Sequence, residues 1–344
     1  MPSIPKPRFR RTARIGPDSG PSTAAPEPRV EIVHTNGAGA TAESPSDVRG
    51  LRWINIEQPG PVDRAWLQEH FDFHPLDYED VASRNQRPKI DEYPEYLFIV
   101  LHFPVYDKSV GRLNTAELDM FVGPDFLITL PNRPIPPVAY LFDRCRSSEE
   151  MREQLLSNGP GYLLYKIVDD SVDYCFPMLR KIGNKLEQVE EDIFAGRSDE
   201  LVRDISNVKQ EIINFRKIIR PQRSTLRDFE RTKQRYMADS LDVYFDDIVD
   251  ASERVWDMLE NYKEVVEALE ETNESLISHR VNDILRVLTS ISVIVLPLTL
   301  LASIWGMNVG VPGEGSHAAF WVVIGAMAAL LFGMLGYFRR RGWL

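Results

Sequence analysis

The spacing of apolar residues changes character three times along the chain. Up to about Arg49 there is no period. PKPRFRRTAR and the Pro- and Gly-rich stretch behind it hold too little apolar surface to offset the entropy of ordering, so residues 1–49 are expected to be a disordered tail. Its basic cluster, Arg8, Arg10, Arg11 and Arg14, reads as solvated, with contact to anionic lipid as the alternative. From Leu51 to about Leu130 the pattern is mixed. Residues 51–56 alternate with period two, 96–103 form a compact β-branched and aromatic run, and 117–122 and 126–130 flank the turn-forming Gly123-Pro124-Asp125. Residues 62–71 have the spacing of a short amphipathic helix. Residues 50–160 therefore predict an α+β domain, a small sheet with helices.

After a Pro-rich connector at 131–137 the period becomes helical. Residues 161–194 have apolar positions at helical spacing and stop at Gly196. Residues 199–237 predict a second, strongly charged helix with Pro221 as a break or kink. In the third, Leu241, Phe245, Ile248, Ser252, Val255, Leu259, Tyr262, Val266, Leu269, Asn273 and Leu276 follow 4,3,4,3 spacing without a slip, which is a heptad seam. No Gly or Pro interrupts residues 240–296, so one helix of roughly 85 Å is expected, a stalk that becomes a membrane span. Most of the seam is not expected to be covered within its own domain, so residues 161–283 predict self-association. Asn273 on the seam suits register specification.

The third change is to unbroken apolar runs. Val287 to Trp305 carries no formal charge, and residues 284–308 are long enough to cross a hydrocarbon core of ~30 Å. A short connection at 309–317 leads to a second such run at 318–338, closed by the basic tail 339–344. Arg280 and Arg286 precede the first span and Arg339, Arg340 and Arg341 follow the second, which predicts both termini on the cytoplasmic side of the cell's inner membrane. Thr289, Ser290, Ser292, Thr299 and Ser303 would be unneeded in an anchor facing lipid all round. They suggest a conduit.

Charge and cysteine content narrow the partner. There are 51 acidic residues against 40 basic ones and the formal net charge is −11, which argues against nucleic acid and for cations. Cys145 and Cys175 form neither a CxxC pair nor a disulfide framework. The six histidines show no ligand spacing, and no phosphate loop, HExxH or GxSxG is present, so an enzyme is disfavoured.

Gly306-Met307-Asn308 stands at the outer end of the first span, just after Trp305 and downstream of Pro297-Leu-Thr299. The long helix that feeds the span, the two-span C-terminal end, His74-Pro-Leu-Asp-Tyr-Glu-Asp80 and Gln86-Arg-Pro-Lys89 accompany it. Over residues 51–344 this arrangement resembles the CorA family of divalent-cation channels. The resemblance implies a homopentamer with a cytoplasmic funnel, a stalk and a central pore lined by five first spans. It implies transport of Mg2+, with Co2+ and Ni2+ as passengers. Gly306, Met307 and Asn308 would be the selectivity filter, where a hydrated ion that gives up its waters reluctantly is held through them. Stepping inward by three or four residues along one face gives Thr299, Leu296, Ser292, Leu288, Leu285 and Asn282 as pore lining, with the leucines as apolar constrictions. The resemblance further implies that cytoplasmic Mg2+ bridges carboxylates of neighbouring protomers and closes the pore; the matching positions are Glu79, Asp80, Asp169 and Asp247.

One departure bears on the ion. Residues 308–315 lack the Met-Pro-Glu element of many magnesium transporters, and their Asn-Val-Gly and Pro-Gly character is similar to the ZntB zinc-transporting branch, although that branch usually replaces the Met of the motif. Zn2+ transport is thus the alternative. A membrane-anchored sensor or scaffold without transport is a further one, and Ser292, Thr299 and Asn308 count against it.

Overall fold

The computed structural model describes residues 27–35, 37–38, 50–83, 86–107, 112–196, 201–232, 241–307, 310, 312–313 and 316–343. Its contacts divide the chain into two compact units. One comprises Met1–Val105, Thr115–Val172 and Pro221–Val249, the other Tyr106–Asn114, Asp173–Arg220 and Asp250–Leu344.

The first unit is built on a mixed sheet of β1 (Glu31–His34), β2 (Gly37–Ala38), β3 (Arg52–Asn55), β4 (Lys89–Glu92), β5 (Leu97–Asp107), β6 (Arg112–Val122) and β7 (Phe126–Pro131) in the order β2-β1-β3-β7-β6-β5-β4. β3 runs parallel to β7, Arg52 opposite Phe126, and antiparallel to β1; β6 and β7 form a hairpin around Gly123. All four residues of β3 are buried, because the strand is central and covered on both faces. Ile54 packs with Phe121 and Ile128 against Leu67 of α1 (Pro61–His70) and Val81 of α2 (Pro75–Ser83). Trp53, one residue before and so on the other face, meets Phe142 of α3 (Pro136–Ser147) edge-on at 5.0 Å and donates its indole N–H to Thr129 Oγ1 at 3.1 Å. Two further helices, α4 (Glu149–Leu156) and α5 (Gly159–Asp173), follow.

Several expectations are corrected. The disordered tail was expected to reach residue 49, yet Glu31–His34 is a strand: Ile32 and Val33 are buried once β3 supplies an edge to pair with. Residues 1–26 and 39–49 lie outside the described residues. The connector at 131–137 gives way to α3, with proline in its first turn, where a missing N–H costs nothing. The single helix expected over 161–194 is two, α5 and α6 (Cys175–Phe194), divided at Tyr174. Pro177 cannot donate to the carbonyl of Asp173 and crowds it, which accounts for the interruption. α7 (Leu201–Thr232), by contrast, continues through Pro221. The turns beyond that proline are anchored. Buried Gln222 accepts the His102 backbone N–H at 2.7 Å, and Thr225 donates to the Pro88 carbonyl at 3.0 Å.

In the second unit the seam of α8 (Asp242–Trp305) is not left open. α6 carries its own 4,3 repeat at Cys175, Leu179, Ile182, Leu186, Val189 and Ile193, and α7 another at Leu201, Ile205, Val208, Ile212, Phe215 and Ile219. These positions form one buried cluster with Val255, Leu259, Val266 and Leu269 of α8. The self-association argued from an uncovered seam therefore fails for this stretch: three helices of a single chain cover one another. α6 ends as expected, with Gly196 at φ 75° past its last turn. α8 is the expected continuous helix, 64 residues and about 95 Å long, and it runs on past Pro297. Among the described residues, it and α9 (His317–Arg340) are the two helices long and apolar enough to cross a membrane, each with a mean hydropathy of 2.3 over an 18-residue stretch.

Candidate functional site

Along the last third of α8, Asn282, Leu285, Leu288, Ser292, Leu296 and Thr299 recur at steps of three and four and share about a third of the helix circumference. All six are exposed within the single chain, Leu296 the most of the three leucines at 69%. The opposite side is different. Ser290 and Ile294 are buried, and Leu301 and Trp305, one or more turns on, line a pocket with Ala319, Val322, Val323 and Ala326 of α9. One side of the first span thus meets its own second span, while most of the remaining circumference, the six positions included, is without cover from its own chain.

The hydroxyls on the span share one geometry. Thr289 Oγ1 donates to the Leu285 carbonyl at 2.7 Å, Ser292 Oγ to Leu288 at 2.9 Å and Thr299 Oγ1 to Val295 at 2.9 Å. With the proton committed to the backbone, each oxygen offers only lone pairs outward, which suits the outward-pointing hydrogens of water around a cation. At the outer end the Gly306 N–H still donates to Ala302 at 3.0 Å and that of Met307 to Ile304 at 3.4 Å. A Cβ on Gly306 would stand 3.3 Å from the Ala302 carbonyl oxygen, so the residue keeps this turn close. Asn308 lies outside the described residues.

The four carboxylates singled out in the sequence fall into separate places. Asp169 and Asp247 both act on Tyr165, whose hydroxyl is pushed up to about 12 by burial first and by Asp169 next. Tyr165 packs on Tyr244 at 4.8 Å, which joins α5 to the start of α8. Asp169 is tied to Lys166 at 2.9 Å, whereas Asp247 is exposed. Glu79 is exposed on α2. Asp80 belongs to a second group, with Asp77 one turn earlier and Asp91 on β4, one carboxylate oxygen of each lying within 4.8 Å of the others. Asp77 is fully buried and accepts from the hydroxyls of Tyr93 at 2.9 Å and Tyr96 at 2.7 Å; burial raises its pKa against those bonds. Lys89 sits among them, 2.7 Å from Asp80 and 2.5 Å from Asp91. Burial pulls the ammonium down, but the hydrogen bonds it donates to Asp80 and then Asp91 outweigh it, and its pKa is held above the ordinary value.

Sequence reasoning missed Asp91, Glu117 and Asp119. Glu117 and Asp119, two apart on β6, are both buried, and burial first and Glu117 second push the Asp119 carboxyl far above the usual range. Two acids at alternate positions of the otherwise apolar second half of β6, residues 116–122, were the available signal. For Asp77, missed as well, it was the spacing of three from Asp80 on one helix face.

Comparison with known proteins agrees with the sequence resemblance. Residues 48–340 match the family model described as CorA-like Mg2+ transporter protein. The chain is 32% identical over 292 residues to YfjQ of Bacillus subtilis (strain 168), covering 85% of this chain and 89% of that one. It is 29% identical over 295 residues to the cobalt/magnesium transport protein CorA of Thermotoga maritima, with 85% and 83% covered. The complete structure of the CorA magnesium transporter from Methanocaldococcus jannaschii superposes with a TM-score of 0.81 at 20% identity, over 92% of this chain and 98% of that one. The chain belongs to the CorA-like Mg2+ transporter family, and it is a membrane transporter of divalent cations rather than an enzyme.

Proposed function

We propose that this chain is a Mg2+ channel, with Co2+ and Ni2+ as further cargo, assembled as a homopentamer in the cell's inner membrane with both termini cytoplasmic. The observation that carries the reading is the uncovered face of α8 opposite α9, on which Asn282, Leu285, Leu288, Ser292, Leu296 and Thr299 stand in register with Gly306. Five such faces around an axis enclose a pore in which rings of acceptor oxygens alternate with leucine rings. The oxygens hold the waters of a hydrated cation, and the leucine rings stop it until the pore widens and wets. Gly306, Met307 and Asn308 receive the ion at the outer mouth.

Regulation in this reading comes from Glu79, Asp80, Asp169 and Asp247. Their oxygens are hard donors that suit Mg2+. An ion bound between protomers in the closed state closes the channel by mass action. Zn2+ is the second reading, favoured by the Asn-Val-Gly and Pro-Gly character of residues 308–315.

The test is cation uptake by the full-length protein in liposomes, with Mg2+ and Zn2+ offered separately, with and without a proton gradient. Mg2+ uptake independent of the gradient is expected, and gradient-driven Zn2+ uptake alone would replace the first reading by the second. Asn308→Ala should abolish most of the uptake; wild-type rates in that variant would sink the filter assignment.

A further inference from the structure

The acids around Asp80 already hold a cation, and it belongs to the chain. The Lys89 ammonium is within hydrogen-bond reach of Asp80 Oδ2 and Asp91 Oδ2, at 2.7 and 2.5 Å. Oxygens of Asp77, Asp80 and Asp91 gather within 4.8 Å of one another, a spread that one small divalent cation would bridge. The ammonium is bonded to two of the three acids that such a cation would join. It is not a loose surface pair: the Asp80 side chain is 17% exposed and that of Lys89 32%, and the ammonium also lies 5.3 Å from the centre of the Phe98 ring. Behind it, Asp119 Oδ1 and Glu117 Oε1 are buried without a hydrogen-bond partner, and both Asp80 and Lys89 act electrostatically on Asp119. The place is therefore strongly negative and has one lysine set into it.

We propose that Lys89 is a tethered competitor for the regulatory cation at Asp80, and that its grip on this carboxylate sets the internal Mg2+ concentration at which the channel closes. The proposal rests on the reading of Asp80 as a regulatory ligand. A divalent ion that takes Asp80 has to displace an ammonium held by charge-assisted hydrogen bonds, and its apparent affinity is lowered by the strength of that pair. An unopposed Asp80 would bind at lower concentration and close the channel sooner. The competition is local. It acts through the shared oxygen of Asp80, so it disappears when that oxygen is no longer anionic.

The experiment measures half-inhibition of uptake by internal Mg2+ for the full-length protein in liposomes, comparing wild type, D80N, K89M, K89R and D80N/K89M. K89M is expected to lower the half-inhibiting concentration by about threefold or more, a modest share of what a charge-assisted hydrogen bond is worth. K89R, which keeps the charge and the donors, should stay within about twofold of wild type. In D80N/K89M the K89M effect should vanish. If D80N alone leaves inhibition unchanged, the reading of Asp80 falls and this proposal with it. If D80N shifts inhibition while K89M does not, Asp80 stands and the role of Lys89 is overturned. A K89M shift that persists in D80N/K89M would also overturn it, since the effect would then be one of general charge. Should K89M fail to assemble, K89Q is read in the same way.

Discussion

The Tyr262 hydroxyl on α8 fills the space beside Gly183 on α6: a Cβ at residue 183 would stand 2.8 Å from that oxygen and 3.3 Å from the ring carbon that bears it. Two effects oppose each other on Gly183→Ala. Helix propensity favours alanine by about 0.5–1 kcal/mol, while forcing a rigid ring out of a packed interface costs about 1–3 kcal/mol. The second should win, lowering the midpoint of thermal unfolding. Tyr262→Phe removes the nearest atom, so Gly183→Ala made in that background should be neutral or stabilising. Equal losses in both backgrounds would show that the hydroxyl is not what opposes the new methyl group, and a gain in both would show that the ring yields without cost.

Leu259 tests the finding that the α8 seam is covered by its own chain. It is fully buried in the cluster formed with α6 and α7. Leu259→Ala should cost about 2–5 kcal/mol by deletion of buried methyl groups and the cavity left behind. Because the contacts are intrachain, the molecular mass of the assembly by light scattering should not change below the unfolding transition. Dissociation without prior loss of stability would mean that the seam joins copies of the chain.

Asp119 predicts a pH dependence. Its carboxyl is buried, and its pKa lies far above the ordinary 3.8 through burial and the neighbouring Glu117. Between the unfolded and the raised folded values the native state binds more protons than the unfolded chain, so stability falls as pH rises through that window. Asp119→Asn removes the titration. In thermal unfolding of the detergent-solubilised protein from about pH 5 to about pH 8, wild type should lose stability more steeply than Asp119→Asn and be the less stable of the two at the upper end. Parallel curves would mean that Asp119 keeps no proton.

These sites differ in how far the sequence exposes them. The 4,3 spacing from Leu241 to Leu276 is a one-dimensional signal and predicted the seam. What covers the seam from Val255 onward is the matching of three such repeats, those of α6 and α7 starting at Cys175 and Leu201, and that is a tertiary fact. Glu31–His34 offers only two adjacent apolar residues, too few for a period to stand out in a Pro- and Gly-rich stretch, and becomes a strand because β3 offers it an edge. Pro177 and Pro221 look alike as letters. The first coincides with a helix boundary, while the second is carried through by Gln222 and Thr225 bonding to distant backbone. Asp80 was recognisable from its motif, but its pairing with Lys89 nine residues later was not, because the pair joins a helix, α2, to a strand, β4. The pore face was legible for the opposite reason: a helix maps spacing directly onto direction.

Ser290 and Ser292 set that mapping against a measurement. Both donate to the carbonyl four residues back, Ser290 at 2.8 Å and Ser292 at 2.9 Å, so their local chemistry is the same. They differ in direction. Ser290 is fully buried on the side of α8 that Ile294 shares, and Ser292 is exposed in line with Leu288, Leu296 and Thr299. If Ser292 contributes a ring of acceptors to the water shell of a passing ion, Ser292→Ala removes one hydrogen bond per protomer. At the usual net worth of such a bond this changes uptake by about two- to tenfold. Ser290→Ala removes no acceptor from the conduit, and uptake should remain within about twofold of wild type, with any effect appearing as altered thermal stability instead. Thr299→Ala should behave as Ser292→Ala does, since its hydroxyl is committed in the same way to Val295. Initial rates of Mg2+ entry into liposomes holding equal amounts of each variant decide the matter. Equal rates for Ser290→Ala and Ser292→Ala, or a loss confined to Ser290→Ala, would turn the helix around and place the conduit elsewhere.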